Sequence, residues 1–171
     1  MRNLVAIALV TCGIGCTQSP ADMEMPFSVQ GTAVMVRTER GLANLELTSF
    51  ADTCSTADES DQPSSQVFRF LLTDEDASAP PSAPGTYSIF SLAAMPATGL
   101  AGGCEYLTVD AACGTSIVDM CTSGSVTLTR VDSDGYAGSF DVEMMSGRHI
   151  ASTFDASACA NTSEDGFGTC L

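Results

Sequence analysis

The chain has no lysine, no tryptophan and a single histidine, His149. Its basic residues are six arginines against 21 Asp and Glu, which gives a formal net charge of −15. So acidic a surface repels the phosphate backbone of nucleic acids, and nucleic-acid binding is therefore excluded. The acidic residues are dispersed along the chain, and we expect them mainly to keep an exported surface hydrated.

The sequence also lacks the common catalytic and metal-binding motifs. It contains no GxSxG elbow, HExxH pair, phosphate-binding P-loop or GxGxxG turn, and no CxxC spacing. No nucleophile can be named as a partner for His149, so we predict an exposed side chain beside a turn rather than a general base. These absences favour a protein that is not an enzyme and carries no cofactor.

One short stretch resembles the start of a calcium-binding loop. Asp132 and Asp134 precede Gly135, and Glu143 follows at the spacing of the last ligand of such a loop. However, Tyr136 and an alanine occupy positions that need an oxygen ligand and a glycine, and strands are predicted on both sides. A hairpin turn is the favoured interpretation, which leaves Asp132 and Asp134 as weak metal candidates.

The clearest structural pattern covers residues 124–159. Apolar and polar residues alternate over 125–131, 136–144 and 149–155, which predicts three antiparallel strands with one buried face. Glycine is the third residue of both predicted loops, 133–135 and 145–147, where a left-handed conformation is needed. This arrangement predicts Leu128 opposite Phe140, Val126 opposite Val142, and Val142 opposite Ile150.

The remaining chain predicts further strands. Residues 27–37 and 42–50 suit a hairpin with a loop at 39–41 that places Met35 opposite Leu45 and Ala33 opposite Leu47. Strands are also predicted at 67–73, 85–92 and 105–110, and a short helical turn at 92–95. About eight strands with almost no helix predict an all-β domain, either an antiparallel β-sandwich or a partly closed barrel.

The N-terminus reads as an export signal. Residues 1–15 contain an early arginine and a short apolar run, too short for a permanent membrane-spanning helix. The segment Gly13-Ile14-Gly15-Cys16 resembles the lipobox of bacterial lipoproteins, although Gly13 stands where leucine is usual. The resemblance implies cleavage before Cys16 and lipidation of that cysteine; the alternative is an ordinary signal peptide with Cys16 kept as a thiol.

Cleavage there divides the chain into a signal peptide at 1–15, a lipidated tether at 16–26 and a single β domain at 27–171. The tether has polar residues and two prolines, which is typical of flexible linkers. The lipobox resemblance implies a membrane anchor, and Thr17 after the cysteine favours the outer membrane or cell surface.

Six cysteines follow Cys16, and an even number in an exported chain predicts three disulfides. Cys54 and Cys159 each follow a predicted strand, and we predict that they pair. Cys104, Cys113 and Cys121 fall in a segment predicted to be irregular, and Cys170 is expected to pair with one of these three.

Three segments carry a resemblance to a known group. They are residues 124–129 (GSVTLT), 138–142 (GSFDV) and 147–159 (GRHIASTFDASAC), with weaker support from residues 85–87 (GTY). In these segments the chain resembles acidic, cysteine-containing lipoproteins of myxobacteria and their relatives. The resemblance implies a β fold and a lipid-anchored envelope location, and no reaction.

From sequence we therefore expect a non-catalytic envelope lipoprotein, a binding or structural module. Its partners are expected to be the membrane through its anchor, and an envelope protein or a small ligand. The alternatives are a small-ligand carrier with a lipocalin-like barrel and a secreted hydrolase. An apolar cavity inside the sheet would favour the carrier, and a serine beside His149 or converging carboxylates would favour the hydrolase.

Overall fold

The computed structural model describes residues 25–37, 41–51, 54, 62–74, 79–91 and 99–159. The predicted signal peptide, Cys16, most of the tether, the helical turn at 92–95 and Cys170 lie outside the described residues. All regular elements among the described residues are strands, and none of these residues belongs to a helix long and apolar enough to cross a membrane.

The structure has eight strands, and each overlaps a predicted one, so the all-β class is confirmed. They are β1 (Gly31–Arg37), β2 (Leu42–Thr48), β3 (Gln66–Thr73), β4 (Gly85–Phe90), β5 (Ala101–Val109), β6 (Thr115–Asp132), β7 (Gly135–Met144) and β8 (His149–Ala158).

The strands form one sheet in the order β1-β2-β3-β5-β4-β6-β7-β8, and β8 pairs with β1, which closes the sheet into a ring. Most neighbours are antiparallel, as predicted. Two pairings differ, because β1–β8 and β4–β5 are parallel, each over two residue pairs. A single sheet whose ends meet is closer to the predicted barrel than to the two separate sheets of a sandwich.

Aromatic side chains fill the middle of the ring. Phe68 and Phe70 of β3 lie 5.2 Å apart between ring centroids, and Phe140 of β7 lies 5.8 and 4.9 Å from them. Leu128 and Ile150 are buried in the same cluster, as the alternation pattern predicts. Each such side chain contributes roughly 1.5–3 kcal/mol by leaving water, so this interior is the main source of stability.

Glycines occupy the turns as expected, with positive φ at Gly41 (64°), Gly135 (138°) and Gly147 (81°). In the β7–β8 hairpin the predicted loop at 145–147 and the pairing of Val142 with Ile150 are both present. This hairpin therefore follows from its turn residues and its alternation.

The register of the β6–β7 hairpin was predicted wrongly. Its loop is only Ser133-Asp134, and Val126, not Leu128, lies opposite Phe140. A two-residue loop alone would turn the polar face inward, but the pairing shifts between Leu128 and Arg130, which restores the buried face. The predicted interior is thus correct although the pairing that produces it is not.

Threonines occupy both irregular positions of the β6–β7 pairing. The register shifts around Thr129 and around Thr122, and each hydroxyl donates to a carbonyl of β7, Ala137 or Glu143, at 3.1 Å. Each threonine hydroxyl thus bridges the two strands where the regular pairing is interrupted. The bulges let the 18-residue β6 bend and pair with β5, β4 and β7.

The β1–β2 register was also predicted wrongly, by one residue. Val34 lies opposite Leu45, whereas Met35 lies opposite Asn44. Ala33, Val34 and Met35 are all buried, so alternation does not distinguish the two faces of this strand. The predicted loop at 39–41 falls mostly outside the described residues.

The segment predicted to be irregular around Cys104, Cys113 and Cys121 is instead a long hairpin. β5 begins at Ala101 and β6 already at Thr115, joined by a turn whose amides at Ala112 and Gly114 both donate to Asp110 Oδ1 at 2.8 Å. Glycines and polar residues interrupt the alternation of apolar and polar residues in this segment, so its strands could not be recognised from the sequence. Pairing with β3 and β4, rather than local propensity, decides its conformation.

Tyr136 joins the β6–β7 hairpin to the proline-containing segment before β4. Its side chain is 3% exposed, and its hydroxyl donates to the Pro81 carbonyl at 2.7 Å. Burial, with a smaller contribution from neighbouring Tyr87, raises the pKa of Tyr136 from 10.0 to about 12. The neutral phenol is therefore part of the folded structure.

This shift predicts a stability change at alkaline pH. Since the folded-state pKa lies above the unfolded value, the contribution is complete below pH 10.0 and is lost as the pH rises towards about 12. The free energy of unfolding should fall by roughly 2–3 kcal/mol over this window, measured by urea unfolding at each pH.

The matched control is Tyr136→Phe, which keeps the ring and removes the ionising group. Its stability should fall less steeply over the same pH range. An equal fall in both proteins would mean that Tyr136 is not the group responsible.

Candidate functional site

The cysteines link distant parts of the ring. Cys54 is bonded to Cys159, the predicted pair, with a Cα distance of 5.1 Å and a sequence separation of 105 positions. Cys104 of β5 is bonded to Cys121 of β6, and Cys113 is also disulfide-bonded. On the chain-entropy model, a loop as long as that of Cys54–Cys159 contributes roughly 4–5 kcal/mol, which marks these cysteines as structural.

The weak metal candidates serve the β6–β7 turn. Asp132 Oδ1 accepts hydrogen bonds from the amides of Asp134 and Gly135 at 2.9 and 3.1 Å. Glu143 lies at the other end of β7, opposite His149, so it cannot complete a loop with Asp132. Over the residues that the structure describes, no three potential ligands among His, Cys, Asp and Glu come together.

His149 pairs with a carboxylate rather than with a nucleophile. Its Nε2 lies 2.5 Å from Asp141 Oδ1, and both side chains are largely exposed. Within the described part of the chain, no serine or threonine hydroxyl is hydrogen-bonded to the imidazole. The pair therefore has a base and its orienting acid, but not the hydroxyl of a hydrolytic triad.

A shallow open groove of about 400 Å³ lies beside this pair, on the outer face of β6, β7 and β8. The groove results from the strand pairing, because residues directly opposite each other on neighbouring strands project from the same face of the sheet. Thr127, Ser139 and Thr153 form one row across the three strands, and Ser125 and Asp141 begin the next. We call this surface, with Ser152 at its edge, the hydroxyl groove.

The hydroxyl rows continue beyond the groove onto β4. Thr86 lies opposite Thr127, with their Oγ1 atoms 3.2 Å apart, and Ser88 lies opposite Ser125. These small side chains project away from the core, where Val126 and Phe140 occupy the alternate positions. The face therefore offers many groups that both donate and accept hydrogen bonds, with one carboxylate as a strong acceptor.

A second polar cluster lies on the outer face of β2, β3 and β5. Arg69 Nε lies 3.0 Å from Glu46 Oε1, and its NH1 lies 3.0 Å from Glu105 Oε1. The three side chains face one another because Glu46 pairs with Arg69 and Arg69 with Glu105 across the strands. Their exposures are only 2%, 16% and 10%, so two poorly hydrated carboxylates share one guanidinium.

Neither polar surface was predicted from the sequence. The signal for the cluster was Arg69 itself, a charged residue within the apolar strand VFRFLLT, since a charge in a central strand requires a carboxylate neighbour. The hydroxyl groove had no such signal. Serine and threonine are ordinary on the polar face of a strand, and only the pairing register aligns them across three strands.

No family model, curated protein or solved structure matches the chain.

The buried cluster predicts a large loss of stability when its cation is removed. Arg69→Met keeps most of the side-chain volume but leaves Glu46 and Glu105 without their shared partner. We expect the free energy of unfolding to fall by about 3–5 kcal/mol in urea titrations at neutral pH.

Arg130→Met is the control, because Arg130 contacts Asp155 at 2.8 Å while 40% exposed. Such an exposed pair contributes about 0–1 kcal/mol. Similar losses in the two variants would contradict the view that burial makes the Arg69 cluster important.

Proposed function

We propose that the chain is a non-catalytic, lipid-anchored protein of a bacterial cell envelope that binds a polyhydroxylated envelope component through the hydroxyl groove. The anchor rests on the lipobox-like sequence before Cys16 and on the likeness to acidic myxobacterial lipoproteins. The binding part of the proposal rests on the structure, in which the hydroxyl groove is a surface suited to a polar ligand.

The observation that carries the proposal is the chemistry of that groove. Ser125, Thr127, Ser139 and Thr153 supply hydroxyls from three strands, and the Asp141 carboxylate accepts hydrogen bonds. Sugar hydroxyls match such a surface because each can donate and accept at once. No exposed aromatic ring lines the groove, so we expect weak binding that depends on repeated saccharide units rather than on one tight contact.

The packed interior favours this proposal over a lipocalin-like carrier. Rings from β3 and β7 meet inside the ring of strands, and Met25 and Phe27 pack against the same core. A carrier needs an open apolar cavity in that place. Its ligand would have to displace the side chains that stabilise the fold.

The hydrolase alternative has less support in the described part of the chain. Asp141 of the groove lies beside His149, but among the described residues no hydroxyl is hydrogen-bonded to the imidazole. Disulfides suit an oxidising compartment outside the cytoplasm, which agrees with an exported protein.

Binding can be tested by titrating the mature chain with oligosaccharides from bacterial envelopes and following backbone amide shifts by NMR. We expect shifts clustered at 125–127, 139–141 and 151–153. Asp141→Asn together with Thr127→Ala should weaken the affinity about tenfold, since each lost hydrogen bond contributes roughly 0.5–1.5 kcal/mol.

Ser157→Ala is the matched control, an exposed serine of β8 outside the groove, and should bind like the parent. Unchanged affinity in the Asp141→Asn, Thr127→Ala variant, or shifts located elsewhere, would refute the role of the groove.

The anchor is tested separately. Cys16→Ala should release the protein from the membrane fraction and abolish incorporation of labelled palmitate in the native host. Several acyl chains hold a protein far more firmly than polar contacts do, because each buried CH₂ contributes roughly 0.8 kcal/mol. Continued membrane association of this variant would refute lipid anchoring.

A further inference from the structure

The chain topology places the N-terminal segment and two turns on one end of the ring. β1 runs parallel to β8, and every other strand step in β1-β2-β3-β5 and β6-β7-β8 is antiparallel. The β5–β6 and β7–β8 turns therefore lie at the end of the ring from which β1 starts, and Phe27, just before β1, stacks on Tyr106 near the β5–β6 turn at 6.0 Å between ring centroids. We call this end of the ring the tether rim, because the chain enters the domain there at Met25.

Exposed apolar side chains are concentrated on this rim. Five large apolar residues are exposed within the described ranges, and four of them lie there: Val29 (36%), Ile117 (56%), Val118 (55%) and Met145 (65%). The fifth, Val36 (39%), lies at the other rim, beside the β1–β2 turn. Exposed apolar groups gathered in one place indicate a contact surface, whereas scattered ones do not.

Local structure brings together the segments that carry three of these side chains. The Met145 amide donates to the Met120 carbonyl at 2.7 Å, so the β7–β8 turn lies against the first part of β6. The β5–β6 register shifts between Tyr106 and Leu107, which leaves Val118 as an extra residue after Ile117. Because this bulge interrupts the alternation, two successive apolar side chains are exposed.

Two nearby acidic residues, Asp119 and Asp110, accept hydrogen bonds from the backbone. Asp119 Oδ1 accepts from the Met120 amide at 2.9 Å and from the Ser146 amide at 3.3 Å, and Asp110 accepts within the β5–β6 turn. These carboxylates hold the turns in place. With a chain charge of −15, attraction to anionic headgroups is excluded, so any lipid contact of this rim must be apolar.

We propose that Ile117, Val118 and Met145 insert into the lipid surface beside the anchor and hold the domain with its tether rim against the membrane. The inference rests on the lipid anchor of the proposed function. Residues 16–24 separate Cys16 from the domain, a reach of at most about 30 Å, so the acyl chains keep this rim close to the bilayer. The hydroxyl groove then opens sideways from the membrane rather than onto it.

The test uses the mature chain carrying Cys16→Ala, which has no lipid, and vesicles of phosphatidylcholine alone or mixed equally with phosphatidylglycerol. We expect co-sedimentation with phosphatidylcholine vesicles that is insensitive to salt and weaker with the anionic mixture. Ile117→Ser, Val118→Ser and Met145→Ser together should lower the partition coefficient about tenfold or more, since burial of three such side chains exceeds the roughly 1.4 kcal/mol that this change requires.

Val36→Ser is the matched control and should change the partition coefficient less than about twofold, because its side chain lies on the opposite rim. The single variants, each checked for native circular dichroism, replace the triple variant if it does not fold, and each should weaken binding.

The proposal is overturned if the parent chain does not bind, if the rim variants bind equally well, or if Val36→Ser loses as much. It is also overturned if the rim instead joins two copies, seen as a dimer that the rim variants dissociate in sedimentation. Failure of lipidation at Cys16 would be detected by palmitate labelling in cells, independently of these vesicle measurements.

Discussion

The aromatic cluster inside the ring is the interaction on which the rest of the structure depends. Phe70 and Phe140 come from strands far apart in sequence, and their centroids lie 4.9 Å apart. Only a curved sheet brings β3 and β7 together across a common interior. Burial of these rings therefore requires closure of the sheet. The short parallel pairing of β1 with β8 closes what would otherwise be two open edges.

Closure of the sheet explains why the alternation of apolar and polar residues predicted the positions of the strands better than it predicted which residues pair across them. The strands predicted within 124–159, such as β7, were located from their period of two. At β6–β7 the predicted faces were correct and the predicted pairing was wrong, because a bulge at Thr129 compensates for the shorter loop. A sequence specifies which side chains must be buried, and different combinations of loop and bulge satisfy that requirement.

The errors elsewhere have a different cause. In β1, three successive residues are buried, so the period of two contains no information about register. The first half of β6 is mostly exposed and carries threonine, serine and aspartate, and only its pairing with β5 makes it a strand. Tertiary context decides such segments, and the hydroxyl groove, which depends on register across three strands, could not be predicted for the same reason.

The outer faces on the two sides of the ring differ in the side chains they carry. On β2, β3 and β5 the outward positions hold Glu46, Arg69 and Glu105, in which one guanidinium pairs with two nearly buried carboxylates. That face is therefore committed to the fold, because exposing or separating these charges costs more than an ordinary surface contact provides.

In the groove on β6, β7 and β8 the outward positions hold mainly small hydroxyl side chains, with the Asp141 carboxylate among them. A serine or threonine gives up few rotamers and exchanges one hydrogen-bonding partner for another, so a polar ligand can bind without disturbing the core. Because aromatic and aliphatic side chains from the described strands pack together inside the ring, the groove on its outer face is the surface on which the proposed ligand would bind.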